Sequence, residues 1–157
     1  LGFVVEPGYA EAGTIVNDKP VLGGLDWLAA HAAEVQVTCA IGAPEHRRRL
    51  VEKARALGCR FCTVVHPSVI ATRWVTLGQG VVIAAGCILT NNIHVGDHAH
   101  LNLDCTVGHD ASIGGFATGS FRVRISVGFA SSMSATEGQN LSCAATSRSF
   151  PLSCITR

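Results

Sequence analysis

Residues 75–116 read VTLGQG VVIAAG CILTNN IHVGDH AHLNLD CTVGHD ASIGGF, a run of seven six-residue units. The third place of every unit is aliphatic: Leu77, Ile83, Leu89, Val95, Leu101, Val107 and Ile113. The first place is small or aliphatic throughout, from Val75 to Ala111. A period of six fits neither the 3.6-residue helix nor the two-residue alternation of an ordinary strand. It is typical of a solenoid, in which short strands and turns wind around an aliphatic interior.

Glycine follows the third place in four of the units, at 78, 96, 108 and 114. A turn that needs a positive φ favours glycine, because a side chain with Cβ is strained there. We therefore expect these glycines to supply the turns. If three units make one coil, the third places fill the interior of a three-sided prism.

Residues 1–66 show a different pattern, in which strand and helix signals alternate. Apolar runs at 1–6, 34–42 and 60–67 indicate strands, and residues 24–31 and 43–58 have helical periodicity. Pro44 suits the first turn of the second helix and Gly58 its C-terminal end. This order predicts a parallel, doubly wound α/β unit.

The composition limits the classes of partner. Net charge is +1, 48% of the residues are hydrophobic and 15% are charged, which argues against a nucleic-acid-binding or disordered chain. No apolar run approaches the roughly 20 residues that span a membrane. Among the seven cysteines, Cys59 and Cys62 form CRFC, but no second pair supports a zinc knuckle, so we expect buried free thiols in a reducing cytoplasm.

Residues 66–120, HPSVIATRWVTLGQGVVIAAGCILTNNIHVGDHAHLNLDCTVGHDASIGGFATGS, resemble the hexapeptide-repeat acyltransferases. The similarity is closest to the sugar O- and N-acetyltransferases that include the sialic acid O-acetyltransferases and the UDP-4-amino-sugar N-acetyltransferases. The resemblance implies a truncated Rossmann-like, nucleotide-sugar-binding α/β subdomain at 1–66 and a left-handed parallel β-helix at 67–119. It also implies acetyl-CoA as cosubstrate, a sugar or nucleotide-sugar acceptor, no metal, and a cytoplasmic homotrimer.

Within the repeat, His109-Asp110 matches the histidine and acidic pair of the family. Removing a proton from an attacking amine or hydroxyl suits histidine, whose ordinary pKa of about 6.5 lies near working pH. The neighbouring carboxylate can hold the imidazole in one tautomer. Spacing alone is also compatible with two polar turn residues. The resemblance further implies roles for Asn102 near the sugar or the histidine, and for Thr118 in contact with CoA. We expect Asn102 on the same side of the coil as His109.

In the α/β part, Gly42 lies between a strand and the start of a helix, where exposed N–H groups favour a phosphate. The resemblance implies that the nucleotide-sugar binds near Gly42 and that Glu6 meets a donor of the sugar or base. Arg47, Arg48 and Arg49 follow in the helix. We interpret them as a solvated face.

Two features depart from the family. Its opening strand and G-x-x-G-H loop have no counterpart, from which we expect an N-terminal truncation. After Gly119 the third places become Ile125, Ser131, Glu137 and Cys143, and a carboxylate is untenable in a prism interior. We therefore predict that residues 120–157 form an out-of-pattern tail, disordered or read from another frame.

Two alternatives stay open. One is a β-helix zinc carbonic anhydrase that uses histidines among 94, 98, 100 and 109, although no pair has the five-residue spacing of that family. The other is a non-catalytic family member that retains only a sugar-binding or trimer-forming surface.

Overall fold

The computed structural model describes residues 1–120 and 122–125, together with the backbone of 134–135 and 140–141. Contacts divide the chain into two units, Leu1–Val37 with Arg49–Arg60, and Thr38–Arg48 with Phe61–Arg157. Within the described residues no helix has the length and apolar character needed to cross a membrane.

The elements before the repeat are short. They are β1 (Phe3–Val4), β2 (Ile15–Val16), β3 (Lys19–Gly23), α1 (Leu25–His31), β4 (Gln36–Val37), α2 (Pro44–Ala56) and β5 (Arg60–Phe61). Both helices lie within the predicted ranges. Helix α2 begins at Pro44 as predicted, and Gly58, just beyond its end, has φ +81°. Val51 and Ala54 form its buried stripe.

The strands of this region do not form one doubly wound sheet. They fall into a three-stranded sheet in the order β1-β3-β2 and a two-stranded sheet of β4 and β5. β1 is parallel to β3, but β2 and β3 form an antiparallel hairpin that we did not predict. Its signal was Asn17-Asp18, which take φ of 45° and 61°, the conformation of a tight two-residue hairpin loop.

From Val64 onward the chain winds through three parallel sheets. The strands are β6 (Val64–Val65), β7 (Ile70–Ala71), β8 (Val75–Leu77), β9 (Val82–Ile83), β10 (Ile88–Leu89), β11 (Ile93–Val95), β12 (His100–Leu101), β13 (Thr106–Val107), β14 (Ser112–Ile113), β15 (Thr118–Gly119), β16 (Arg124–Ile125), β17 (Ser134–Ala135) and β18 (Asn140–Leu141). The sheets have the orders β16-β13-β10-β7, β17-β14-β11-β8 and β18-β15-β12-β9-β6. Every third strand pairs, so one coil takes three hexads, and the predicted parallel β-helix is confirmed.

The aliphatic places fill the prism interior. One cluster joins the first and third places of successive hexads, and Val107, Cys105 and Ile113 within it are 0% exposed. Val75 and Leu77, in the first of the seven hexads, are partly buried against the same cluster. Each coil therefore buries the coils on either side of it, which is how a solenoid acquires a continuous core.

The prediction that the glycines after the third place adopt positive φ was wrong. Positive φ falls at the sixth place instead, which holds Gly80, Gly86, Asn92, His98, Asp104, Asp110, Phe116 and Arg122. Two of the fourth-place glycines, Gly78 and Gly96, allow close approach between coils. A Cβ on Gly96 would lie 2.6 Å from the backbone nitrogen of Gly115 on the next coil.

Parallel pairing continues past residue 119, where we expected the coil to end. Ile125 pairs opposite Val107, 18 residues earlier, and is buried. The next two pairs, Ile113 with Ala135 and Gly119 with Leu141, are 22 residues apart. The backbone register of these two pairs is therefore four residues longer than in the preceding coils. Residues 131, 137 and 143, and most of the predicted tail, lie outside the described residues.

Among the described residues Cys59, Cys87 and Cys105 are buried thiols, as predicted, whereas Cys39 and Cys62 are only partly buried. Cys143 and Cys154 lie outside the described residues.

Candidate functional site

The candidate base lies at a corner of the prism, on the turn between β13 and β14. Asp110 has φ +60°, and its N–H donates to the Asn91 carbonyl of the coil below at 2.9 Å. The preceding strand is fixed by the buried Val107, and the following strand begins beside the buried Ala111. The backbone that carries His109 and Asp110 is therefore held on both sides and from the coil below.

The structure brings His109 and Asp110 into contact. His109 Nδ1 lies 2.7 Å from Asp110 Oδ2, and the two side chains are 74% and 58% exposed. The hydrogen bond from His109, and next that from Asn92, lowers the pKa of Asp110. An ionised Asp110 accepts the Nδ1 proton, which leaves Nε2 as the proton acceptor of the neutral imidazole. The pair can therefore act as a solvent-accessible base of fixed tautomer.

Asn102 does not lie beside His109 within the chain, and the expectation that it would was wrong. Asn102 follows β12, and its N–H donates to the Gly119 carbonyl at 3.0 Å on the next coil. His109 follows β13, one face further around the prism. A coil takes 18 residues, so a separation of seven spans one face and reaches the next corner.

Arg47 contradicts the predicted solvated helix face. Its side chain is 0% exposed, whereas Arg48 is half-buried, with its guanidinium 4.5 Å from the Phe116 ring centre, and Arg49 is exposed. Arg47 lies on the same stripe of α2 as the buried Val51, four residues later. The sequence therefore contained the signal, because positions four apart share a helix face.

The Arg47 guanidinium hydrogen-bonds mainly to backbone carbonyls. It donates to Ile41, Gly42, His98, Phe116 and Ala117 at 2.7, 3.0, 2.9, 2.6 and 3.2 Å, and to the Thr118 hydroxyl at 2.9 Å. Burial lowers its pKa to about 10, so the group remains charged at neutral pH. These bonds tie the segment before α2 to two neighbouring coils.

Thr118 belongs to this buried cluster. It is 5% exposed, and its hydroxyl donates to the Gly42 carbonyl at 3.0 Å while accepting from Arg47. Both hydrogen-bonding functions of the hydroxyl are thus used within the protein. The Gly42 carbonyl accepts from both Arg47 and Thr118, and the space that a Cβ on Gly42 would occupy is open.

Two histidines complete the cluster. His98 packs between Phe61 and Phe116, with ring centres 4.7 and 5.1 Å away. Burial, and after it the Arg47 charge, lowers the pKa of His100 to about 3, so this imidazole is neutral. His98 and His100 are buried, whereas His94 and His109 are exposed. Across the described residues no group of three or more His, Cys, Asp or Glu side chains is placed to hold a metal ion.

Glu6 lies in the other unit and pairs with a lysine. Lys53 Nζ is 2.8 Å from Glu6 Oε1, and the Glu6 side chain is 24% exposed. A ligand donor would have to share this carboxylate with Lys53. The role of Glu6 in sugar binding stays a prediction.

Comparison with known proteins identifies sugar acetyltransferases. The GDP-perosamine N-acetyltransferase of Escherichia coli O157:H7 is 29% identical over 107 residues, which are 68% of this chain and 48% of that protein. This chain thus spans about half the length of the curated relative that it matches. No protein-family model matches this chain.

Solved structures give the same result. WeeI from Acinetobacter baumannii AYE superposes with a TM-score of 0.71 and 29% identity, over 79% of this chain and 57% of that one. A histidine-to-alanine mutant of the GDP-perosamine N-acetyltransferase from Caulobacter crescentus, in complex with CoA and GDP-perosamine, superposes with a TM-score of 0.61 and 26% identity, over 71% of this chain and 62% of that one. The resemblance to hexapeptide-repeat sugar acetyltransferases is confirmed.

Proposed function

We propose that this chain, which resembles the hexapeptide-repeat sugar acetyltransferases in sequence and fold, forms part of an enzyme that transfers an acetyl group from acetyl-CoA to a sugar. The observation that carries the proposal is the His109–Asp110 pair, with Nδ1 and Oδ2 2.7 Å apart on an exposed corner of the β-helix. A base for acyl transfer must be accessible to the acceptor and held in one tautomer. The pair meets both requirements.

His109 acts on the acceptor. As the amine or hydroxyl of the sugar attacks the acetyl carbonyl carbon, Nε2 takes its proton, so that a C–N or C–O bond forms while the C–S bond of the thioester breaks. The departing sulfur then receives the proton from Nε2, which returns the imidazole to its neutral form. Asp110 stabilises the transient imidazolium through Nδ1. General-base catalysis of this kind contributes about 10²- to 10⁴-fold to the rate.

The acceptor class follows from the relatives. Two of them are named for GDP-perosamine, and one was solved with that nucleotide-linked amino sugar bound. We propose a nucleotide-linked amino sugar as the acceptor, and the separate roles of Gly42 and of Glu6 in binding it stay predictions. The left-handed sense of the coil, nucleotide-sugar binding by residues 1–66, the homotrimer and the cytoplasmic location are parts of the same proposal.

Acetyl-CoA supplies the activated acetyl group when it is bound. His109 fits such a donor, because its exposed imidazole can reach an acceptor that lies against the corner. Thr118 does not fit the CoA contact that the resemblance implies, because its hydroxyl is buried and bonded to Arg47 and Gly42. CoA contacts therefore have to come from other residues.

The experiment is acetyl transfer by the purified chain, measured as release of free CoA with a panel of nucleotide-linked amino sugars and neutral nucleotide-sugars. Acetylation of an amino sugar supports the proposal. Binding of the nucleotide-sugar without CoA release supports the second candidate, a non-catalytic sugar-binding protein. CO₂ hydration that depends on added zinc would contradict both.

A further inference from the structure

Asn92 occupies the position equivalent to Asp110 one coil earlier. The two residues are 18 apart, both take positive φ, at 53° and 60°, and both end their hexads. Neighbouring parallel strands lie about 4.8 Å apart, so side chains that leave equivalent positions of a corner can touch. Asparagine and aspartate also tolerate this backbone conformation better than most residues.

The Asn92 side chain hydrogen-bonds to the carboxylate that holds His109. Asn92 Nδ2 donates to Asp110 Oδ1 at 3.0 Å, while His109 Nδ1 lies 2.7 Å from Oδ2. Each carboxylate oxygen thus has its own donor. Two donors on opposite oxygens restrict rotation of the carboxylate about its Cβ–Cγ bond, and both are mounted on the rigid corner.

We infer that Asn92 is a positioning residue for the base: its amide holds the Asp110 carboxylate in the plane that keeps the imidazole proton on Nδ1 and the lone pair on Nε2. The inference rests on the proposed role of His109. Asn92 itself lies one coil below the imidazole and acts only through Asp110.

Within the described residues, the side chains that hydrogen-bond to Asp110 are those of His109 and Asn92. Arg73 lies two coils below and packs its guanidinium 4.6 Å from the Trp74 ring centre. Arg124 lies on β16 and His94 on β11, the strands that adjoin the corner. The lowered pKa of Asp110 has His109 as its first cause and Asn92 as its second.

Asn92→Gly is the direct test, because glycine accepts the positive φ and removes the side chain that carries the amide. Asn17→Gly is its matched control, since Asn17 also has positive φ, 45°, but lies in the β2–β3 hairpin. Asn92→Asp keeps the side-chain size and replaces the donor by a second negative charge. Each protein is examined by ¹⁵N NMR of the His109 tautomer, ¹³C titration of Asp110 and steady-state kinetics.

Asn92→Gly is expected to raise the pKa of Asp110 toward its ordinary value and to reduce the population of the Nδ1–H tautomer. We expect kcat to fall about threefold to tenfold, because less of the imidazole carries its lone pair on Nε2, with both KM values unchanged. Asn92→Asp is expected to raise the pKa of Asp110 further, and Asn17→Gly to change nothing.

An unchanged tautomer and an unchanged Asp110 pKa in Asn92→Gly would overturn the inference. If the wild-type protein transfers no acetyl group, the proposed function fails, and the NMR measurements still decide whether Asn92 positions the imidazole.

Discussion

Replacing Arg47 with methionine tests how strongly the buried guanidinium stabilises the β-helix. Methionine has a similar length and no hydrogen-bond donor. Of the five carbonyls bonded to Arg47, that of Gly42 keeps Thr118 as a donor and that of Ala117 keeps the His100 N–H. The carbonyls of Ile41, His98 and Phe116 lose the arginine hydrogen bond. Neither the Thr118 hydroxyl nor the His100 N–H replaces it there.

The size of the effect follows from these three carbonyls. Leaving a buried acceptor unsatisfied costs about 1–3 kcal/mol, so the buried carbonyls of His98 and Phe116 together give about 2–6 kcal/mol, and the part-buried carbonyl of Ile41 adds less. Removing the buried charge recovers part of its desolvation penalty, so the net cost lies toward the lower end of that range. We therefore expect Arg47→Met to lower the free energy of unfolding by about 3 kcal/mol. That is a large fraction of the roughly 5–15 kcal/mol of a typical domain.

The assay is urea unfolding followed by circular dichroism, with Arg49→Met as control because Arg49 is exposed on the same helix. The control is expected to stay within about 0.5 kcal/mol of the wild type. Arg47→Lys keeps the charge but has fewer hydrogen-bond donors, so its free energy of unfolding should lie between those of Arg47→Met and the wild type. An Arg47→Met protein within 1 kcal/mol of the wild type would refute the reasoning.

Three further predictions follow from other positions. Gly96→Ala places a Cβ 2.6 Å from the Gly115 nitrogen, and thermal unfolding should show that the free energy of unfolding falls by about 1–3 kcal/mol. Gly42→Ala is the control, because its Cβ enters open space, and it should lower the free energy of unfolding by less than about 1 kcal/mol. The pKa of Asp110 is lower in the folded state than in the unfolded chain. Its pairing with His109 is therefore complete above the unfolded pKa of about 3.9 and is lost as the pH falls through the lower folded pKa. Loss of the pairing at pH 5 in an NMR titration would contradict this. Glu6→Gln, at a partly exposed ion pair, should change stability by no more than about 1 kcal/mol but raise the KM of the nucleotide-sugar; an unchanged KM would remove Glu6 from the sugar site.

The coil was predictable because its interior tolerates only one kind of residue. A narrow prism selects an aliphatic side chain at each third place, and from Ile83 to Ile113 the structure buries every one of them. The turns were less predictable. The sixth place accepts asparagine, aspartate and even Phe116, because coil-to-coil hydrogen bonds such as Phe116 N–H to the Asp97 carbonyl, at 2.9 Å, hold the strained backbone.

The site was predicted only in part. His109 and Asp110 are adjacent in sequence, so their contact needed no knowledge of the coil. Asn92 was missed because its relation to Asp110 appears only at a spacing of 18, the length of one coil. Arg47 was misassigned because a charged side chain is usually exposed, and the carbonyls that hold it come from distant segments.

The most direct test of the claim that His109 is the base is the acetyl-transfer rate of His109→Ala. His66→Ala is the control, because His66 is an exposed histidine that is hydrogen-bonded to Ser68. At 74% exposure, replacement of His109 should leave the unfolding curve unchanged. We predict a fall in kcat of about 10²- to 10⁴-fold for His109→Ala and a wild-type rate for His66→Ala. A His109→Ala protein that transfers acetyl groups at the wild-type rate would contradict the account.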